Sequence, residues 1–160
     1  RVLIGQAAYS EMSFSLAFAS VALVMIATTR LSKTFVARWG TAGSLKRGMG
    51  LIALAALLLA AGQRLLEPSF TSFILPMWLA AIGIVMTVSV TANGALAQFN
   101  DVAGSAVAIY FCVESLIVSV IGTLAVTLLD GVTAWPLVVF GLGMSSMVLL
   151  ALMLLERRKA

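Results

Sequence analysis

The sequence predicts an all-α fold, a polytopic membrane helix bundle, on three observations. Hydrophobic residues make up 62% of the 160 and charged residues only 10%, where a soluble domain carries about a quarter charged. The mean hydropathy is +1.13. The few charges are gathered between uncharged runs, and a helix needs roughly 20 apolar residues, at about 1.5 Å each, to cross a bilayer core of about 30 Å.

In chain order, the first residues open on Arg1 rather than Met and form neither a basic-then-apolar signal nor a segment long enough to cross a bilayer. Residues 2–10 read as the tail of an earlier helix and the turn after it, so the chain is expected to be cut from something longer. Five spans follow, at about 12–29, 47–64, 70–93, 102–129 and 135–155. The second is short by count, and Arg64 extends it by snorkelling. The third lies in an uncharged stretch too long for one crossing, so Pro68 is read as its start and Thr91 to Gly94 as a loosened exit. Glu114 alone interrupts the fourth. Five spans and a stub predict a six-helix unit.

Lys and Arg in the connections set the orientation. Arg30, Lys33, Arg38, Lys46 and Arg47 lie in the predicted loop 30–47, and Arg157, Arg158 and Lys159 follow the last span, whereas the opposite side holds only Arg1 and Arg64. This places the loop and the C-terminus in the cytoplasm. The net charge of +4 and a pI near 9.9 therefore express topology, and no nucleic-acid partner is expected. The loop charges need do no more than orient the chain; a gating role is the alternative.

The spans differ in polarity. The second has no side-chain hydrogen-bonding group until Gln63, and the fifth has only Ser145 and Ser146, whereas the first, third and fourth carry most of the serines and threonines. Lipid offers polar groups no partner, so the polar spans are expected to line protein interior or a water-filled cavity and the bare ones to form the outside. On the fourth span, at about 100° per residue, Val102, Ile109, Val113, Leu116, Ile117, Val120 and Leu124 share one arc, the expected lipid face. Ala106 and Thr127 also fall in it. The far side gathers Gly104, Ser105, Ala108, Cys112, Ser115, Ser119, Gly122 and Thr123, small or polar residues suited to close helix contact.

Glu114 stands on the flank between the two, beside Tyr110, near mid-depth. A carboxyl there is costly when ionised and marks a functional candidate. One reading is an acid that exchanges a proton when water reaches it; the other is a permanently protonated donor to Tyr110, Ser115 or a neighbouring helix. Asp101 and Asp130 at the ends of this span read as a helix cap and an Asp-Gly turn. Trp39 and Trp135 fall at span edges, as an interfacial belt would have them. Trp78 lies deeper, either packed or lining a cavity for an aromatic molecule.

Histidine is absent and Cys112 is the single cysteine. This excludes an internal disulfide framework and argues against a His/Cys metal site. With no phosphate-binding glycine loop and no visible nucleophile and base set, the chain is not expected to be an enzyme or to hold a cofactor. A gradient or another subunit would have to drive any transport.

The strings "FILPMWLAAIGIVMTVSVTANGALAQFNDVAGSAVAIYFCVESLIVSVIGTLAV", "LLDGVTAWPLVV" and "RVLIGQAAYSEMSFSLAFASVALVMIATTRLSKTFVARWG" resemble the C-terminal half of the phenicol exporters. These are the chloramphenicol and florfenicol resistance proteins of the drug:proton antiporter branch of the major facilitator superfamily. The resemblance covers essentially the whole chain. It implies a twelve-helix carrier of the bacterial inner membrane, of which this chain holds the end of helix seven and helices eight to twelve. It also implies a proton gradient as driving force, a phenicol and protons as the small-molecule partners, and a missing N-terminal bundle that carries the family's principal acidic and antiporter motifs. Only a degenerate copy of the loop motif corresponds to Arg38-Trp39-Gly40 through Lys46-Arg47. The family pattern has glutamine where this chain has Glu114, which favours a polar contact there over a proton carrier.

The expected function is export of phenicols by alternating access. Glu114, Tyr110, Asn93, Thr87 and Trp78 are the candidates for the substrate or proton pathway. A carrier of another drug or small solute, a non-transporting structural subunit of the membrane, and an intramembrane enzyme are the competing classes.

Overall fold

The computed structural model describes residues 10–65, 70–129 and 133–157. The stub at 2–9, Pro68, Asp130 with Gly131, and Arg158 with Lys159 lie outside the described residues. Among the described residues four helices follow one another: α1 (Glu11–Leu65), α2 (Phe70–Leu96), α3 (Ala103–Leu128) and α4 (Trp135–Arg157), with a 3-10 turn at Asn100–Val102 leading into α3. All four are long and apolar enough to cross a membrane, and no strand occurs among the described residues. The fold is an all-α membrane helix bundle. Helices suit such a chain because each satisfies its own backbone hydrogen bonds where no water is available.

The first helix is two arms. Gly40 has φ 68° and ψ 179°, a conformation open to glycine and closed to side-chain-bearing residues, and it breaks the helix between 11–39 and 41–65. The arms fold back side by side: Ala17 from the first and Leu59 from the second meet in the same buried cluster, and the Ser44 hydroxyl reaches back to the Phe35 carbonyl at 3.5 Å. Each arm, at about 1.5 Å per residue, is roughly 40 Å long and by itself sufficient to cross the bilayer.

The stretch 30–47, expected as a loop, is therefore helical on both sides of Gly40. The physical reason is that a charge marks the edge of hydrocarbon, not the end of a helix. Residues 30–39 contain no glycine or proline, so the helix runs through the headgroup region until Gly40 allows it to turn. Asp101 lies in the 3-10 turn, and no side-chain cap bonds the start of α3. At the start of α1 there is a cap: the Ser13 amide donates to Ser10 Oγ at 3.2 Å.

The second arm and α2 form an antiparallel pair packed backbone to backbone. A Cβ placed on Gly83 would lie 2.6 Å from the Gly48 carbonyl oxygen, and one on Gly48 would lie 2.6 Å from Thr87 Oγ1. At the other end Gly62 sits against the Ser72 carbonyl, 3.2 Å from where its Cβ would be. That carbonyl lies one turn before Pro76, which has no N–H to offer it. The fourth helix joins through Gly141, whose Cβ would touch that of Ala56 at 3.2 Å. The core beside this seam contains Ala17, Leu59, Phe73, Ile74, Ala134 and Val138. In contrast, α3 has no buried residue.

Since backbone atoms cannot yield as a side chain end can, Gly83→Ala is expected to destabilise the chain by about 1–3 kcal/mol. Gly104→Ala and Gly122→Ala on α3 meet nothing within 4 Å and should hold stability or raise it through helix propensity. Thermal unfolding of the detergent-solubilised variants, followed by circular dichroism, distinguishes them.

Candidate functional site

Between the second arm, α2, α3 and α4 lies a cavity of about 350 Å³, within the range of small-molecule pockets. Its wall is apolar and adaptable: Met49, Met77 and Met144 come from three different helices, and Phe140 adds an aromatic face. Among the described residues Glu114 and Thr87 are its only liners with polar side chains. The Thr87 hydroxyl donates to the Gly83 carbonyl at 2.9 Å, so it turns an acceptor toward the space. Glu114 Oε2 is buried and has no hydrogen-bond partner among the described residues. It lies eleven residues from Ala103 and fourteen from Leu128, near the middle of α3.

The rotation of α3 explains how the carboxyl reaches the cavity. Its partly buried stripe runs through Ala106, Tyr110, Glu114, Gly122 and Ala125, so the flank turns inward. The expected lipid arc is open: Val102, Ile109, Val113, Leu116, Ile117, Val120 and Leu124 are each 50% exposed or more. The small face is open too, with Gly104, Ser105, Ala108, Cys112, Ser115, Ser119 and Thr123 all exposed. Close helix packing by small residues occurs instead at the glycines of α1, α2 and α4.

The five candidates thus separate. Glu114 and Thr87 line one cavity. The Tyr110 hydroxyl approaches Thr91 Oγ1 at 3.5 Å, a long contact that ties α3 to α2 nearer the 3-10 turn. The Asn93 amide donates to the Ser89 carbonyl at 2.6 Å in its own helix and is exposed. Trp78 packs on the buried cluster and donates from Nε1 to Ser20 Oγ at 2.9 Å, away from the cavity lining. The methionines that shape the cavity carry no sequence signal by themselves, since Met at helical spacing reads as core.

Several other hydroxyls are satisfied inside their own helix. Thr28 donates to Val24, Thr127 to Thr123 and Ser145 to Gly141. The charges expected in the connection 30–47 gather at the Gly40 end. Arg47 stacks its guanidinium over Trp39, 4.6 Å from the ring centroid, and Trp39 lies flat on Phe35. Lys46 pairs with Glu156 of α4 at 2.5 Å. Arg30, Lys33 and Arg38 are exposed on the first arm. At the opposite end Arg64 covers Trp135 at 5.1 Å, and Gln63 accepts the Ala134 amide at 3.2 Å. No group of acidic residues or cysteine that could hold a metal occurs among the described residues.

Comparison with known proteins adds a relative. Over 148 residues the chain is 41% identical to a chloramphenicol resistance protein of Pseudomonas aeruginosa, a match that takes in 92% of this chain. The chain is similar to a resistance protein along nearly its whole length. It spans 35% of the length of that curated relative. No family model matches the chain, and no solved structure does.

If the Trp78 to Ser20 bond holds the first arm to α2, Trp78→Phe and Ser20→Ala should not be independent. A double-mutant cycle on thermal stability is expected to give a coupling of about 0.5–1 kcal/mol. Additive effects would place the indole elsewhere.

Proposed function

We propose that this chain is part of a multi-spanning carrier that exports phenicols, chloramphenicol and florfenicol among them, across the bacterial inner membrane in exchange for protons. The observation that carries the reading is the 41% identity to a chloramphenicol resistance protein over 92% of the chain, in a sequence whose helices have the length and hydropathy of membrane spans. The finer resemblance to the drug:proton antiporters of the major facilitator superfamily supports the antiport mechanism. In this reading the chain is the C-terminal bundle, and a preceding bundle supplies the other half of the cavity and the principal proton chemistry.

Alternating access by rocking of the two bundles assigns the parts. The seam of glycines makes the second arm, α2 and α4 a body that moves as one. The weakly held α3 brings Glu114 and Tyr110 to the translocation side. A phenicol is neutral, with an aromatic ring, hydroxyls and an amide, and needs apolar surface with few hydrogen-bonding groups. Glu114 and Thr87 supply acceptors for its hydroxyls, and Met49, Met77, Met144 and Phe140 supply the surface. No cofactor takes part, and the carrier makes and breaks no covalent bond. The Gly40 end, with Lys33, Arg38, Lys46 and Arg47, faces the cytoplasm together with the C-terminus, as the positive-inside rule requires.

The test is accumulation. The chain is joined to a matching N-terminal half and expressed in phenicol-sensitive bacteria, and florfenicol uptake is followed with and without a proton uncoupler. Lower accumulation that the uncoupler abolishes is expected. Equal accumulation in carriers and controls, with membrane insertion confirmed, contradicts the proposal.

A further inference from the structure

The first arm of α1 carries a stripe that the described residues leave uncovered. Leu16, Ala19, Leu23, Ile26, Arg30 and Lys33 follow one another at steps of three and four, the spacing of one helix face, and all are exposed. The buried Ala17 and Thr28 of the same arm lie roughly 150–170° round the helix from this stripe. Along its length the stripe changes character once, from apolar as far as Ile26 to cationic at Arg30 and Lys33.

That change falls at a definite depth. The uncharged run 12–29 is roughly 27 Å long at about 1.5 Å per residue, against a hydrocarbon core of about 30 Å. Arg30 therefore stands at the edge of the hydrocarbon, and Lys33 stands roughly 4.5 Å farther out, in the headgroup layer. From Ile26 back to Leu16 the stripe measures roughly 15 Å, the depth of the acyl chains of one leaflet.

The two cations differ from their neighbours at the Gly40 end. Lys46 is paired with Glu156 and Arg47 is stacked over Trp39, whereas no ion pair, ring contact or hydrogen bond engages the side chain of Arg30 or Lys33 among the described residues. The adjacent Thr29 and Ser32 hydroxyls donate to the Met25 and Thr29 carbonyls of their own helix. The donors offered on this face are thus a guanidinium and an ammonium one turn apart, above an apolar strip one leaflet deep. A phosphodiester that carries acyl chains matches both halves, and a net negative headgroup matches the charge better than a zwitterion, whose own cation the pair would repel.

We propose that this stripe is a binding site for an anionic phospholipid of the cytoplasmic leaflet, with Arg30 and Lys33 on the phosphate and an acyl chain along Ile26, Leu23 and Leu16. The site lies apart from the cavity at Glu114 and does not rest on the export reading.

The experiment is native mass spectrometry of the chain released from mixed micelles that hold dioleoylphosphatidylglycerol and dioleoylphosphatidylcholine in equal amounts. Micelles have no sides, so the part these charges play in orienting the chain does not enter the reading. Preferential retention of phosphatidylglycerol by the wild type is expected. Arg30→Gln with Lys33→Gln should weaken it about 30-fold, at roughly fivefold per cation, while Lys46→Gln, off the stripe, should leave it unchanged. Exchanging the cations, Arg30→Lys with Lys33→Arg, should keep the preference and covers the case in which the glutamine pair does not fold. Free glycerol 3-phosphate, which lacks the acyl chains, should not displace the lipid. Equal retention of the two lipids by the wild type, an unchanged preference in the glutamine pair, a lost preference in the exchanged pair, or displacement by glycerol 3-phosphate overturns the proposal. So does retention that disappears once the matching N-terminal half is joined to the chain, because the stripe then belongs to the preceding bundle.

Discussion

The close crossing of Gly48 and Gly83 is the contact on which the rest of the bundle depends. In lipid, two apolar helices gain nothing from hiding their side chains from each other, because the solvent is equally apolar; they associate through tight packing and through what polar groups they share. The second arm of α1 and α2 achieve that packing by presenting bare backbone at the same level, where a Cβ on either side would overlap the partner. The seam continues at Gly62 against Ser72 and extends to α4 at Gly141 against Ala56. Three helices are thereby fixed. The methionines at 49, 77 and 144 then project into the space that their spacing leaves.

The same constraint governs the polar groups. Hydroxyls on membrane helices bond the carbonyl one turn back within their own helix, as at Thr28, Thr87, Thr127 and Ser145, and so need no neighbour. Glu114 has no such recourse, because its side chain is too long and carries two acceptor oxygens. On α3, which the bundle holds only through a flank stripe, that leaves a carboxyl facing apolar walls. Among the described residues Glu114 Oε2 and Thr133 Oγ1 are buried without a partner, and of the two only Glu114 lines the cavity.

This explains what was legible in the sequence. Composition and run length gave the all-α membrane bundle, since hydropathy responds directly to the bilayer. Glu114 was visible as the charge inside the apolar run 102–129, and its place on the flank followed from helical periodicity. The loop assigned to 30–47 failed because charge locates the lipid boundary, whereas Gly40 locates the turn. On α3, Ser105, Ser115 and Ser119 stand on an open side, and Tyr110 with Glu114 turn inward. The cavity itself depends on which helices touch, and that is set by glycines whose pairing across the seam has no signature in either segment alone.

Glu114 faces the space bounded by α2, α4 and the second arm, and not lipid. Cross-linking in native membranes, with Cys112→Ser as background and a short bifunctional thiol reagent, reads this orientation. Glu114→Cys combined with Met144→Cys should cross-link, whereas Val113→Cys combined with Met144→Cys should not. Efficient cross-linking of the Val113 pair, with the Glu114 pair unreactive, would contradict the account.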